Sequence, residues 1–599
     1  MDSTIIPLHL HWPPQMVHLL SNGPSLVAAV LLAVVLSFLI QWATADRSIP
    51  KITSSKSWFA TRQDFAAHGV EIIEKGFQQV KTGVFRVTAL DGKLSSHSSL
   101  RGIRTALDGM IEDLHVAGSD LVLIAPEHWL AICKKKDEEV APARKEVCRL
   151  LTLCPRGSAG STGPPPQLTR PKFFLCDLHG APFEEHFLYR YLGARMPGFD
   201  RYLDVISEAL DEGISSILDK DFDYSQGGMS TLSILRFPCA CLSREMLLTL
   251  SFKACKRVIM QPQILHVYSH VIWRVILGNN FRPEVVDIFE TYSATLIPVM
   301  KKLKAQRPMM ARITAAFSGE VRLVNAQLER ATAFFTPIFQ QCAEAFEKGL
   351  SGSSVDNDWF EELIRMAPAE KRRDYKYLTN ILIGFAFTFV FSPGPSTTQV
   401  VYEFAFRPDY VEEVLQEAHD VLGERPESWS FTRDSLRRLS LLDSFCKETH
   451  KHHPTAASNL MKKIHKTQTL PNGVVLPAGT IFEVVMTAAH LSNSNLEAPA
   501  EWDGRRYHDL RQRMSSTATG SNKYDWGSAT RDDVNFGYAS HMCPGRWAGC
   551  SIAKMFLIKL LSRFDIGPEE GHTERYADLH SGQYILPNPT KHILIRPRQ

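Results

Sequence analysis

One cysteine among the eleven in the chain stands where a sulfur atom can do chemistry. Cys543 is followed by Pro544-Gly545 and then by WAGCSIAKMFLIKLL, an apolar run with the composition of a helix. The sulfur therefore lies just ahead of a helix N-terminus, where unpaired amides and the helix dipole favour a thiolate. A thiolate so placed is a strong ligand for iron, onto which it pushes electron density. Gly537 and Gly545, on either side, let backbone come close to a large flat group. A lone cysteine ahead of a helix is more often a small buried side chain, which is the reading for Cys550.

Two more segments hold groups that matter for chemistry. In LLDSFCKETHKHHP (441–454), Glu448 and Lys451 are three apart, so on a helix they share a face. His450, His452 and His453 have no matching Cys or acid at ligand spacing, and read as a solvated helix end rather than a metal site. Ser392 is a hydroxyl in a long apolar segment, ILIGFAFTFVFSPGPSTTQ (381–399). Pro393 and Pro395 remove amide donors there and kink the helix at that point. The phenylalanines at 385, 387, 389 and 391 are either plain core or the lining of an apolar pocket.

The elements that must carry these residues are mostly helical. Residues 58–80 read as an amphipathic helix, Val84–Val87 and Leu121–Ile124 as strands, and Phe199 to about Ala456 as helices broken by short polar turns. Strand signals return at Gly473–Leu476 and Ile481–Val485. A long helix covers Gly545–Ser562, and Tyr584-Ile-Leu with His592–Arg596 read as a terminal hairpin. Two tracts have no assigned place in the core, 94–119 and 134–172. The second runs from KKKDEE into GSAGSTGPPP and reads as an exposed insertion.

At 599 residues, with 44% hydrophobic and 22% charged side chains, the chain can bury a sizeable core. A net charge of +3, with no basic block interleaved with aromatics, argues against nucleic acid as a partner. An odd number of scattered cysteines suits free thiols in a reducing compartment. From Ser3 to Ala45 there is no charged residue, and Ser25–Ala45 (SLVAAVLLAVVLSFLIQWATA) would make a helix of roughly 30 Å, enough to cross a bilayer. Trp42 and the following Arg47, Lys51 and Lys56 would keep the body on the cytosolic side. The competing reading is a cleaved signal peptide ending at Ala43-Thr44-Ala45, but the n-region is long and carries no basic residue.

Taken together, Phe536-Gly537-x-x-x-His541-x-Cys543-Pro544-Gly545-Arg546 resembles the haem-binding signature of the cytochromes P450, in the form used by fungal members. The resemblance implies Cys543 as the axial ligand of a haem b iron (iron protoporphyrin IX). It places Phe536 near the sulfur, Gly537 and Gly545 in the binding loop, and His541 near a propionate. Glu448-x-x-Lys451 resembles the family's Glu-x-x-Arg pair, and EWDGRRYHDL (501–510) its arginine loop, which implies a buried triad of Glu448, Lys451 and Arg506. The stretch VVYEFAFRPDYVEEVLQEA resembles the exit of the long distal helix, with Ser392 at the position of the catalytic alcohol. The chain departs from the pattern at Ala539, where a glycine is usual, at Lys451, and at Phe391-Ser392, where an acid or His precedes Thr. No convincing Trp-x-x-x-Arg is found in the first third, so the propionate contact that the family makes there stays unassigned.

The expected fold class is mainly α (α+β), a cytochrome P450-like helical fold with small β-sheets and one N-terminal transmembrane helix. The expected division is a lumenal tail (1–24), an anchor (25–45) and a haem-thiolate catalytic domain (46–599). The implied activity is oxidation of a lipophilic secondary metabolite (terpenoid, polyketide or indole-derived), using dioxygen and electrons from NADPH–cytochrome P450 reductase. The implied location is the endoplasmic reticulum membrane, with the catalytic domain cytosolic. An isomerase or dehydratase without oxygen insertion, and a catalytically silent haem protein, remain the alternatives.

Overall fold

The computed structural model describes residues 49–88, 120–142, 191, 193, 196–217, 256–349 and 358–598, apart from 54–57, 134, 136–138, 259, 305–313, 515–520 and 539–541. The expected tail and anchor (1–45) and the tract 94–119 lie outside these residues.

Helical periodicity near the start yields α1 (Trp58–Gln79), which leads into strands β1 (Val84–Thr88) and β2 (Asp120–Ile124). The next elements are α2 (Pro126–Ile132), β3 (Val140–Pro142), α3 (Leu203–Ile217) and β4 (Lys256–Val258). A helical body follows: α4 (Met260–Leu277), α5 (Glu284–Lys304), α6 (Gly319–Glu347) and α7 (Asp358–Met366). The apolar segment forms α8 (Tyr375–Phe391) and α9 (Pro393–Phe406), which meet at Ser392. Pro393 and Pro395 sit in the first turn of α9, where their missing amides cost nothing. Then come α10 (Pro408–Leu422), α11 (Arg433–Arg438) and α12 (Ser440–His452). Strands β5 (Ser458–Ile464), β6 (Gln468–Thr469), β7 (Val475–Leu476) and β8 (Ile481–Val485) precede α13 (Thr487–Leu491), α14 (Arg506–Met514) and α15 (Arg546–Arg563). The chain ends with β9 (Phe564–Pro568), β10 (Leu579–Ser581), β11 (Tyr584–Leu586) and β12 (Ile593–Pro597).

The main sheet has the order β1-β2-β8-β5-β3, with β2 and β8 parallel and the other pairs antiparallel. Val140 is buried in it opposite Ile464, so part of the tract 134–172 is not an exposed insertion: its Val140–Pro142 segment is an edge strand. The expected terminal hairpin is also corrected. β11 pairs with β10, and β12 pairs with β9 and β4 in a separate three-stranded sheet. Gly582, at φ 61°, makes the tight turn between β10 and β11. Between β11 and β12, Pro587 and Pro589 bar a tight turn, and Tyr402 pins the loop by donating to Asn588 O at 3.0 Å. The strand read at Gly473–Leu476 shrinks to Val475–Leu476, because Gly473 turns the chain at φ 83°. β5 escaped notice because a bulge between Asn459 and Lys462, with Leu460 at φ 61°, breaks its alternation.

The largest hydrophobic cluster joins α3–α12 and α15. The run 375–406 is long and apolar enough to cross a membrane, but two-thirds of its apolar window is buried inside the protein, as a core helix requires.

Candidate active site

Among the described free cysteines, Cys133, Cys342, Cys446 and Cys550 are buried and Cys543 is exposed. Its loop is shaped by backbone bonds: Gly537, at φ 81°, donates to Val534 O at 2.8 Å, and the Cys543 amide donates to Phe536 O at 2.7 Å. Arg546 Nη1 donates to Cys543 O at 2.8 Å, and α15 begins at that arginine. Burial raises the Cys543 thiol above its ordinary value, although the amides of Gly545 and Arg546 and the Arg546 charge pull the other way. The residue as a whole is exposed, yet its thiol lies deep enough among protein atoms for desolvation to win. The helix N-terminus does not make the thiolate unaided, as the spacing suggested; a coordinating metal deprotonates such a thiol outright.

On α8, Gly384, Phe387, Thr388, Phe391 and, at its end, Ser392 form the less buried face. A Cβ on Gly384 would meet nothing within 4 Å. Phe387 and Phe391 stack at 4.5 Å and are half-buried, whereas Phe385 and Phe389 belong to the core. The core reading therefore holds, since Phe387 and Phe391 also pack against the main hydrophobic cluster from its partly buried side. The Phe389 ring reaches across to the cysteine loop, 3.5 Å from where a Cβ on Gly545 would lie. Thr388 Oγ1 donates to Gly384 O at 2.9 Å, while the exposed Ser392 hydroxyl makes no hydrogen bond among the described residues. A soft sulfur donor with two amides behind it, an apolar helix reaching the same loop, and the buried Arg546 Nε without a partner among the described residues together suit haem. His541 and Ala539 lie outside the described residues.

The triad residues come together. Lys451 Nζ lies 2.9 Å from Glu448 Oε1, and Arg506 Nε lies 3.2 Å from both carboxylate oxygens. Glu448 also accepts from the Asp503 amide at 3.0 Å, and His452 Nε2 lies 3.3 Å from the same oxygen. Arg506 further donates to the carbonyls of Glu497, Ala498 and Glu501, and Lys451 to that of Pro499 at 2.8 Å, so both cations clamp the loop 497–501. Burial would lift the Glu448 carboxyl, but the His452 hydrogen bond and the Lys451 ammonium hold it below the usual carboxylate range.

The histidines are not a solvated helix end. His450 lies edge-on to Phe536 at 5.2 Å and accepts from Trp526 Nε1 at 3.3 Å; burial pushes it down to about 4. His453 bridges two carboxylates, Nε2 to Glu403 Oε1 at 3.1 Å and Nδ1 to Asp578 Oδ2 at 2.6 Å. Arg575 and Arg407 also pair with Glu403, and Gln399 Nε2 donates to Asp578 at 2.9 Å. This network ties α9 and the end of α12 to the segment before β10, and sequence reasoning missed it because its members are up to 179 residues apart. The other missed groups are Asp443 (to Lys554 at 2.8 Å and Arg511 at 3.1 Å) and Lys447 (to Asp533). Their signal was present: charges at 443, 447 and 451 recur every four residues along α12 and so share one face.

One consequence is measurable. Burial opposes charge on His453, but the hydrogen bonds to Asp578 and Glu403 outweigh burial and Arg575, and raise it. Because the folded value exceeds the unfolded one, the stabilisation is complete below about pH 6.5 and is lost as pH rises through the folded value. The melting temperature of the wild-type protein is expected to fall over that alkaline window. His453→Gln should remove this part of the pH dependence.

The family model described as cytochrome P450 matches residues 241–594. The chain is 25% identical over 342 residues to the cytochrome P450 monooxygenase ATR3 of Stachybotrys chlorohalonatus (strain IBT 40285), covering 56% of this chain and 71% of that protein. It is 26% identical over 343 residues to the cytochrome P450 monooxygenase BOA4 of Botryotinia fuckeliana (strain B05.10), covering 57% and 67%. The fold is similar to that of the cytochrome P450DA heme domain (TM-score 0.60, 12% identity, 92% and 98% covered). It is also similar to retinoic acid bound cyanobacterial CYP120A1 (TM-score 0.54, 13% identity, 92% and 99% covered). With the family model spanning more than half its length, the chain belongs to the cytochrome P450 family, and it is a monooxygenase that uses haem b.

Proposed function

We propose that the protein oxidises a lipophilic secondary metabolite and that the Cys543 sulfur would hold the haem iron. The observation that carries the assignment is the exposed Cys543, backed by the amides of Gly545 and Arg546, with Phe389 of the apolar helix α8 reaching the same loop at Gly545. Haem, when bound, supplies the oxygen chemistry. The protein holds the sulfur, excludes water with Phe387 and Phe391, and delivers a proton from the Ser392 hydroxyl. Phe536, Gly537, Gly545 and His541 shape the haem loop, and Glu448, Lys451 and Arg506 brace it. Electrons come from NADPH–cytochrome P450 reductase on the Cys543 side, where Trp547 is exposed. Residues 25–45 anchor the enzyme in the endoplasmic reticulum membrane, with its body cytosolic.

Labelled dioxygen tests the reaction: one labelled atom should appear in product, and unlabelled product would overturn the proposal. Ser392→Ala should lower coupled product formation by roughly a hundredfold, while NADPH consumption continues. A coupled yield equal to wild type would remove Ser392 from proton delivery.

A further inference from the structure

The cysteine loop is held from behind by one face of α12. Lys447, 3% exposed, pairs through Nζ with Asp533 Oδ2. The other carboxylate oxygen of Asp533 accepts from the Asn535 amide at 3.2 Å, and the Asp533 carbonyl accepts from Thr530 N at 2.9 Å. The Val534 amide points at His490 Nε2 at 3.4 Å. From there the backbone bonds from Gly537 N to Val534 O and from Cys543 N to Phe536 O carry the geometry to the sulfur. One turn further along α12, His450 rests on the Phe536 ring. Two side chains of one helical face therefore hold two points of the loop, and the next hydrogen bond sets the Cys543 amide.

We propose that the Lys447–Asp533 pair is a positioning device that sets the register of the cysteine loop, and through it the placement of the Cys543 sulfur against the iron. This rests on Cys543 being the ligand. The physical reason is the cost of an uncompensated buried charge. Burial presses Asp533 toward its neutral form, yet Lys447 and His490 hold the carboxyl down to about 2. Removing the ammonium leaves a carboxylate in low dielectric, which must draw in water or move outward, and the loop moves with it. Breaking the pair from either side should misplace the sulfur; removing both charges should misplace it less.

The test uses the reduced, carbon monoxide-bound holoenzyme, in which a ligated thiolate produces a red-shifted Soret band and a protonated or displaced thiol does not. Lys447→Met and Asp533→Asn should each shift the ratio of the two bands roughly tenfold away from the thiolate form. Lys447→Arg should keep the wild-type ratio, and Lys447→Met/Asp533→Asn should lie between Lys447→Met and wild type. Arg575→Met, which breaks the Glu403 network, should lower thermal stability and leave the ratio unchanged. In haem-free protein, after the reaction of the other cysteines measured in Cys543→Ser is subtracted, a thiol reagent should modify Cys543 faster in Lys447→Met than in wild type. A wild-type band ratio in Lys447→Met, or a shift no larger than that of Arg575→Met, overturns the proposal. Should Lys447→Met not fold, Asp533→Asn reads the same quantities, and a wild-type ratio there overturns it equally. A thiolate band that persists in Cys543→Ser sinks the ligand assignment itself, which is a separate failure.

Discussion

Cys543→Ser is expected to abolish the red-shifted carbon monoxide band and to reduce turnover below detection. Serine keeps the size and the hydrogen bonds of the loop but offers a hard, weakly donating oxygen in place of sulfur. Loss of an outer partner of a metal ligand costs ten- to a hundredfold in metal affinity, so loss of the ligand itself should weaken haem retention by more than about 100-fold. The contrast with Cys550 makes the result specific. Cys550 lies seven residues on, buried within α15, and Cys550→Ala should cost only about 1 kcal/mol of stability while leaving the band in place. The two variants separate sulfur as a ligand from sulfur as packing. They are read by one spectrum and one melting curve.

Arg506→Met carries the second large effect. Arg506 is 8% exposed and Glu448 fully buried, and the guanidinium holds both oxygens of that carboxylate together with three carbonyls of the loop 497–501. Removing one partner of a buried pair costs roughly 3–5 kcal/mol, because the remaining charge has no solvent to turn to. Lys451 stays on Glu448, so the loss should fall toward the lower end of that range. Arg506→Lys should recover little of it, since a point charge cannot span two carboxylate oxygens and three carbonyls at once. Chemical unfolding followed by the Soret band checks this: the midpoint should fall, and haem should be released no later than the helices melt. A midpoint equal to that of wild type would show that Glu448 does not depend on Arg506.

Much of this site could be read along the chain because its signals are local. Cys543-Pro544-Gly545 ahead of an apolar run, Glu448 and Lys451 three apart, and Pro393 behind Ser392 each state their geometry within a few residues. The structure shows a helix starting at Arg546, a 2.9 Å pair, and a helix break at Ser392 accordingly. Helical spacing likewise marked α12 and α15. What the helix start at Arg546 implied about Cys543 was right only in part, since its amides reach the sulfur but burial outweighs them.

By itself, then, the sequence determined which residues can do chemistry and the helices that bear them, because caps, prolines and periodicity act over one or two turns. Only the tertiary structure decided which partners those residues meet. β12 pairs with β9 and β4 rather than β11, Val140 joins a sheet instead of a loop, and His453 sits between Glu403 and Asp578 instead of in water. Lys447 finds Asp533 across 86 residues of chain. Strand partners and buried ion pairs are chosen by the whole packed core, where a charge is tolerated only if its counter-charge arrives from elsewhere, and nothing in a local window records that arrival.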